Sequence, residues 1–211
     1  MISDISDISD IEDINYFILK GEAIMSNNSI YYELETERLL LRKLSMNDLQ
    51  DIYEYGSDKE VSNYVLWNKY ESREDAKSFA QSVLNNYEKG NNNIWAIECK
   101  EDKKMIGTID FIGYSEKYKR SDLGYVLNRA YWNKGLMTEA VKAVIKHAFE
   151  VLDLNKVSAS AIDFNIGSYK VMEKAGMTNE GITRQHFSKN DVFFDIVNYS
   201  ILRSEYIYNQ E

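Results

Sequence analysis

A strand-like run, RSDLGYVLN, passes through a short loop holding Gly135 into a long amphipathic helix, and a second strand-like run, KVSASAID, follows. The helix carries Ala140, Val141, Val144, Ile145, Ala148, Phe149 and Leu152 at helical spacing, an apolar stripe that has to be buried against another element. Strands and amphipathic helices that alternate in this way pack as layers of an α/β domain.

The rest of the chain from Leu34 continues the alternation. ERLLLRKL reads as a strand bounded by charges, and Ser45 with Asp48 makes a capping-box start for a helix through about Tyr55. Ser72 with Asp75 repeats the device ahead of Ala76, Phe79, Ala80, Val83, Leu84 and Tyr87, until Gly90 stops the helix. IWAIECK and MIGTIDFIGY flank the polar turn EDKK as strand–turn–strand. Thr138 is the expected cap of the long helix, SYKVMEKAG a helix closed by Gly176, and residues 177–203 two strands around KND. The predicted order is β-α-α-β-β-β-α-β-α-β-β. Proline is absent, so caps and glycines must set every element end.

The opening ISDISDISDIEDI is set apart by a three-residue repeat. Isoleucine at period three drifts around a helix and makes a poor stripe. A short docked helix, placed first, a disordered acidic tail and a leader upstream of an internal start at Met25 all stand open. Residues 1–33 hold seven acids and one base, so most of the chain's net charge of -9 sits there. We expect this acidic extension over 1–33 and one domain over 34–211.

Length and composition exclude several classes. A chain of 211 residues can form one domain with a sizeable core. No stretch approaches the ~20 apolar residues of a membrane span, and the acidic start lacks the basic region of a secretory signal. One cysteine, Cys99, allows no internal disulfide, which suits a reducing cytoplasm. One Cys and two His leave little for a zinc site, and no basic field exists to hold duplex nucleic acid. No metal, nucleic acid or membrane is expected.

A glycine-bearing loop that opens a helix offers free backbone N–H groups and partial positive charge to an anion. Lys134-Gly135 is neither a P-loop nor part of a G-x-G-x-x-G, so the loop alone is compatible with a phosphate site and with an ordinary strand–helix turn. A second piece narrows this. KVSASAID runs into Asn165-Ile-Gly-Ser168, and the next helix ends in Glu-Lys-Ala-Gly176-Met177. YWNKGLMTEA followed by N-x-x-S-x-x-V-x-E-K-x-G-M resembles the GNAT N-acetyltransferases, in the branch that modifies ribosomal-protein N-termini (the RimJ/RimL type). TERLLLRKL and VFFDIVNYSIL also resemble that branch, and the likeness spans roughly residues 34–205.

The resemblance implies a mixed, mostly antiparallel sheet flanked by helices, with acetyl-CoA between two splayed parallel strands. The family's pyrophosphate loop falls on Trp132, Asn133, Lys134, Gly135, Leu136 and Met137, with Thr138 following. Gly135 matches; Trp132 and Met137 depart, since a small residue is usual at the latter position. Pantetheine contacts fall on the backbone of Val126, Leu127 and Asn128 and on the side chain of Asn165. The family's common acid, a tyrosine seven residues after the Asn, is replaced by Met172. Ser168 stands where this branch carries a serine, either to meet the departing thiolate or simply to serve the helix N-terminus.

Asp122 precedes Leu-Gly-Tyr where relatives often have Glu, and is either a general base or a solvated carboxylate. Glu180 and Asp110 are weaker candidates. Tyr64, Trp67 and Tyr70 fall where the family shapes its acceptor pocket, with core packing as the rival role. Lys134, Arg129 and Lys170 are either phosphate partners or solvated cations. His186 reads as a surface or packing residue and His147 as a surface residue of its helix, and Cys99 lacks an activating partner. The implied reaction is direct acetyl transfer from acetyl-CoA, the cosubstrate, to an amine, by a monomer or homodimer. The amine is a protein N-terminus, or else a polyamine or aminoglycoside. A CoA-binding module without catalysis is the alternative of a different class.

Overall fold

The structure is a computed structural model that describes residues 33–91 and 93–208. The expected acidic leader, through residue 32, lies outside the described residues. Among the described residues eight strands form one sheet: β1 (Leu34–Glu35), β2 (Leu39–Arg42), β3 (Ile94–Cys99), β4 (Lys104–Ser115), β5 (Arg120–Leu127), β6 (Lys156–Ile162), β7 (Thr178–Lys189) and β8 (Val192–Leu202). Their order across it is β1-β2-β3-β4-β5-β6-β8-β7. Every neighbouring pair is antiparallel except β5 and β6. Parallel neighbours need a long crossover, and the predicted amphipathic helix supplies it.

Among the described residues six helices flank the sheet: α1 (Leu49–Gly56), α2 (Lys59–Ser62), α3 (Arg73–Glu88), α4 (Leu136–Glu150), α5 (Ile166–Lys174) and α6 (Arg203–Tyr208). Both predicted capping boxes are formed. Asp48 accepts the Ser45 N–H at 2.8 Å ahead of a 3-10 turn at Met46–Asp48, and Asp75 accepts the Ser72 N–H at 2.8 Å ahead of α3. The strand-length elements β1 and α2 and the terminal α6 were not anticipated. They are too short or too polar to leave a periodic signal.

The core lies in two clusters, one on each sheet face. Val141, Val144, Ile145, Ala148 and Phe149 of α4 pack with Trp95, Ile97, Ile109, Phe111 and Leu123 on one face. Each large apolar side chain so buried contributes about 1.5–3 kcal/mol. On the other face Ile52 and Tyr55 of α1 and Ala76, Ala80 and Val83 of α3 cover Ala96 and Met105. His147, expected at the surface, is a correction: it is 3% exposed, because it lies on the inner side of α4 with its ring edge-on to Trp95 at 6.1 Å.

Candidate active site

The site begins where two strands part. β5 and β6 pair from Arg120↔Lys156 to Leu123↔Ala159. Beyond that point β5 stays with β4 as far as Leu127↔Gly107, while β6 stays with β8 as far as Ile162↔Ile196. A wedge therefore opens between residues 124–127 and 160–162. Backbone groups along an antiparallel strand alternate in direction. Asn128 N–H donates to the Ile106 carbonyl at 2.7 Å, so Gly124, Val126 and Asn128 turn theirs to β4, and Tyr125 and Leu127 turn theirs into the wedge. This narrows the expected trio Val126–Asn128: the backbone groups of Val126 and Asn128 are engaged with β4, and Leu127 faces the opening. Asn128 is itself buried; its Oδ1 accepts the Ala130 N–H at 3.0 Å and its Nδ2 donates to Glu54 at 2.8 Å.

After β5 the chain crosses Trp132, Asn133 and Lys134 to Gly135. Asn133 and Gly135 are left-handed, with φ of +61° and +76°, and a glycine meets that demand without strain. α4 begins at Leu136 with Gly135 as its N-cap, three residues before the expected cap at Thr138, which lies partly buried in the first turn. Leu136 and Met137 both bury their side chains, 5% exposed each. The departure at Met137 thus leaves the solvent side of the loop clear. Trp132 donates its Nε1–H to the Leu127 carbonyl at 2.8 Å, tying the loop to the wedge.

A bracket that the sequence did not suggest sets this loop. Arg38 donates from Nη1 to the Lys134 carbonyl at 3.0 Å and from Nε to Glu139 at 2.7 Å, while Thr36 Oγ1 donates to Glu139 at 2.6 Å. Partial burial works to raise the Glu139 pKa, but these hydrogen bonds outweigh it and hold the carboxyl below its ordinary value. The first turn of α4 is thereby fixed with its free N–H groups outward, an anion site by geometry. Lys134 is exposed with Nζ over the Tyr131 ring, Lys170 is exposed, and Arg129 is taken up by Asp58 at 2.7 Å.

Across the wedge, Asn165 caps α5: its Oδ1 accepts the Ser168 N–H at 3.0 Å, which leaves its NH2 group for a ligand. Ser168 is 8% exposed, and its hydroxyl lies 2.7 Å from the Tyr125 hydroxyl. Burial pushes the Tyr125 pKa up to about 12, against the easing effect of Ser168, so the phenol keeps its proton. Met172 is wholly buried in the core.

The carboxylates occupy the opposite sheet face. Asp110 pairs across strands with Gly124, and Asp122 with Ile112. A Cβ on Gly124 would lie 2.7 Å from Asp110 Oδ1, so the glycine makes room for that carboxyl at the vertex of the wedge. Burial alone raises the Asp110 pKa to about 7, and among the described residues nothing pairs with it. Asp122 stands at the closed end, exposed to solvent; surrounding protein raises its pKa, and a Ser158 hydrogen bond works against the rise. Glu180 is committed to Lys156 and Ser200, Cys99 is buried on β3, and His186 is exposed on β7.

Of the three acceptor-side aromatics, Trp67 and Tyr70 lie with ring centroids 4.9 Å apart, tilted by 30°, and pack on the α1–α3 cluster. Tyr64 instead lies between Trp132 and Phe164, 5.9 Å from each ring, so it spans the mouth between the two sides of the wedge. Phe164 was missed because its signal is tertiary, an exposed ring just after β6.

Comparison with known proteins agrees with this geometry. The acetyltransferase (GNAT) domain family model matches residues 38–178. An uncharacterized N-acetyltransferase, YoaA of Bacillus subtilis (strain 168), is 32% identical over 81% of this chain and 96% of its own length. A GNAT-family acetyltransferase from Bacillus anthracis superposes with a TM-score of 0.74 at 28% identity, over 82% of this chain and 99% of that one. The putative ribosomal N-acetyltransferase YdaF of B. subtilis is 31% identical over 50% of this chain and 57% of its own. Spermidine N(1)-acetyltransferase of Escherichia coli (strain K12) is 21% identical over 79% and 87%.

Proposed function

The chain belongs to the GNAT acetyltransferases and is an N-acetyltransferase, and we propose that it acetylates a protein N-terminal α-amine by direct transfer. The wedge carries this reading, because its two faces hold opposite proton chemistry: carboxylates Asp110 and Asp122 on one, hydroxyls Tyr125 and Ser168 on the other. A base and an acid on opposite sides of an opening suit an amine entering from one side and a thiol leaving on the other.

The residues present fit acetyl-CoA, the family's acetyl donor. Trp132–Thr138 would hold its pyrophosphate through the outward N–H groups of the α4 first turn, with Lys134 at the rim; Leu127 and the Asn165 NH2 group would hold its amide-bearing arm. When bound it supplies the thioester carbonyl that the amine attacks. The Leu127 N–H, facing the wedge, is placed to polarise a carbonyl oxygen. Asp110 at the vertex takes the amine's proton, a task for which a pKa about 7 is well matched. Asp122, expected as the base, draws the cationic amine toward the vertex. Ser168, fixed by Tyr125, donates to the departing sulfur. Tyr64 shapes the acceptor mouth, with Trp67 supporting the same loop.

An α-amine with pKa near 8 is about a tenth neutral at pH 7, whereas a lysine amine is neutral at about one part in a few thousand. A single carboxylate therefore suffices for the former. The acid-lined acceptor face and the spermidine-acetylating relative favour a small polyamine as the second reading. The catalytic domain starts at Leu34, the first residue of β1, with residues 1–33 an acidic extension. Among the described residues no helix is long and apolar enough to cross a membrane, and we place the enzyme in the cytoplasm. Acetyl-CoA turnover against peptides with free N-termini, spermidine and an aminoglycoside tests the proposal. Peptide turnover is expected; turnover of spermidine alone overturns the acceptor assignment.

A further inference from the structure

The acceptor mouth is held from a distance. Lys189, the last residue of β7, donates from Nζ to the carbonyls of Ser62 at 2.7 Å, Trp67 at 2.8 Å and Val65 at 3.2 Å. Three carbonyls occupy the three donors of an ammonium group, and among the described residues no carboxylate pairs with it. The lysine reaches them on a stiff arm. Asn190 and Asp191 both have φ near +50 to +60°, values of 51° and 61°, the turn that suits a tight hairpin, and β7 and β8 pair up to Lys189↔Val192. Burial lowers the lysine's pKa, yet three carbonyl dipoles make retention of the charge worthwhile.

The segment so anchored, 63–70, has no regular structure of its own and carries Tyr64. The same hairpin approaches Tyr64 by a second route, since Phe164 lies between Tyr64 at 5.9 Å and Phe194 of β8 at 5.7 Å. An ammonium clamp and an aromatic contact thus join the hairpin to the mouth. We infer that Lys189 is a positioning residue for the acceptor: its clamp on residues 62–67 holds Tyr64 across the wedge mouth and sets acceptor affinity without contributing to coenzyme binding. The inference rests on the proposal that the amine enters past Tyr64.

Lys189→Met removes the donors while keeping the length of the stem. If the freed loop occupies its competent position about a tenth of the time, acceptor KM rises about tenfold, with kcat at saturation near wild type. Coenzyme A affinity, read by calorimetry, stays unchanged, and Lys189→Arg recovers part of the loss because a guanidinium still reaches two carbonyls. Tyr64→Ala, which leaves the clamp intact, raises acceptor KM as well. An unchanged acceptor KM in either variant overturns the inference, and so does a parallel fall in coenzyme A affinity, which would make Lys189 a brace for the whole wedge. Wild-type protein that binds coenzyme A but acetylates no amine in the panel sinks the acceptor reading itself, before the variants are compared.

Discussion

Replacing Asp110 by asparagine keeps the shape of the side chain and removes its charge, so the pH dependence of stability isolates the carboxyl. Its pKa is pushed up to about 7 from an ordinary 3.8 by burial. One pKa unit is worth about 1.4 kcal/mol, so folding with Asp110 ionised costs roughly 4 kcal/mol more than folding with it neutral. The residue keeps some exposure at the wedge, and solvent reduces that figure to roughly 2–4 kcal/mol. A raised carboxyl pKa means that the native state holds the proton more tightly than the unfolded chain. The neutral acid's stability advantage is fully present below pH 4, shrinks as pH rises to 7, and is gone above it. Urea unfolding of wild type and Asp110→Asn between pH 4.5 and 8.5 reads the effect directly. The variant should gain on wild type by roughly 2–4 kcal/mol across that range. Its kcat/KM should also fall by about 10²–10⁴ and lack the rising limb near pH 7 expected of wild type. A stability difference independent of pH refutes the buried-carboxyl argument. A preserved pH limb in the variant moves the base elsewhere, with Asp122→Asn the next substitution to make.

Two further substitutions test the other walls of the site. Gly135→Asp puts a carboxylate and a Cβ at a left-handed position in the anion loop, and coenzyme A affinity by calorimetry should fall at least about tenfold, roughly 1.4 kcal/mol; unchanged affinity in a folded protein removes the loop from the site. Ser168→Ala should lower kcat about 10- to 100-fold with coenzyme A affinity retained, since thiolate departure needs only modest help; wild-type kcat would reduce the serine to packing.

Local chemistry was legible in the sequence, and long-range chemistry was not. Capping boxes at Ser45 and Ser72 announce their helices because cap and partner are three residues apart. The cap of α4 was misplaced by three residues because Gly135 owes its setting to Arg38, nearly a hundred residues upstream. Tyr125 faces Ser168 across 43 residues, so the hydroxyl pair emerges only once β5 and α5 flank one wedge. Asp110 looked secondary for a similar reason. Its claim depends on sheet register, which sets it opposite the one β5 residue without a side chain. Alternation along β5 did place Asp122 and Gly124 on one face from sequence alone.

The parting of β5 from β6 also has a mechanical side. Five strands lie on one side of the seam and three on the other, and the backbone ladder that joins them is four residue pairs long. The smaller block contains the hairpin that ends in Lys189. Regions of a domain open with different free energies, and this short ladder coincides with the proposed acetyl-transfer cleft. A ligand lodged in it joins both blocks, and at a hundred times its dissociation constant it stabilises the joined form by about 2.7 kcal/mol. On the proposed reading that acetyl-CoA is this ligand, its abundance bears on the protein twice, as supply for the reaction and as a splint for the sheet.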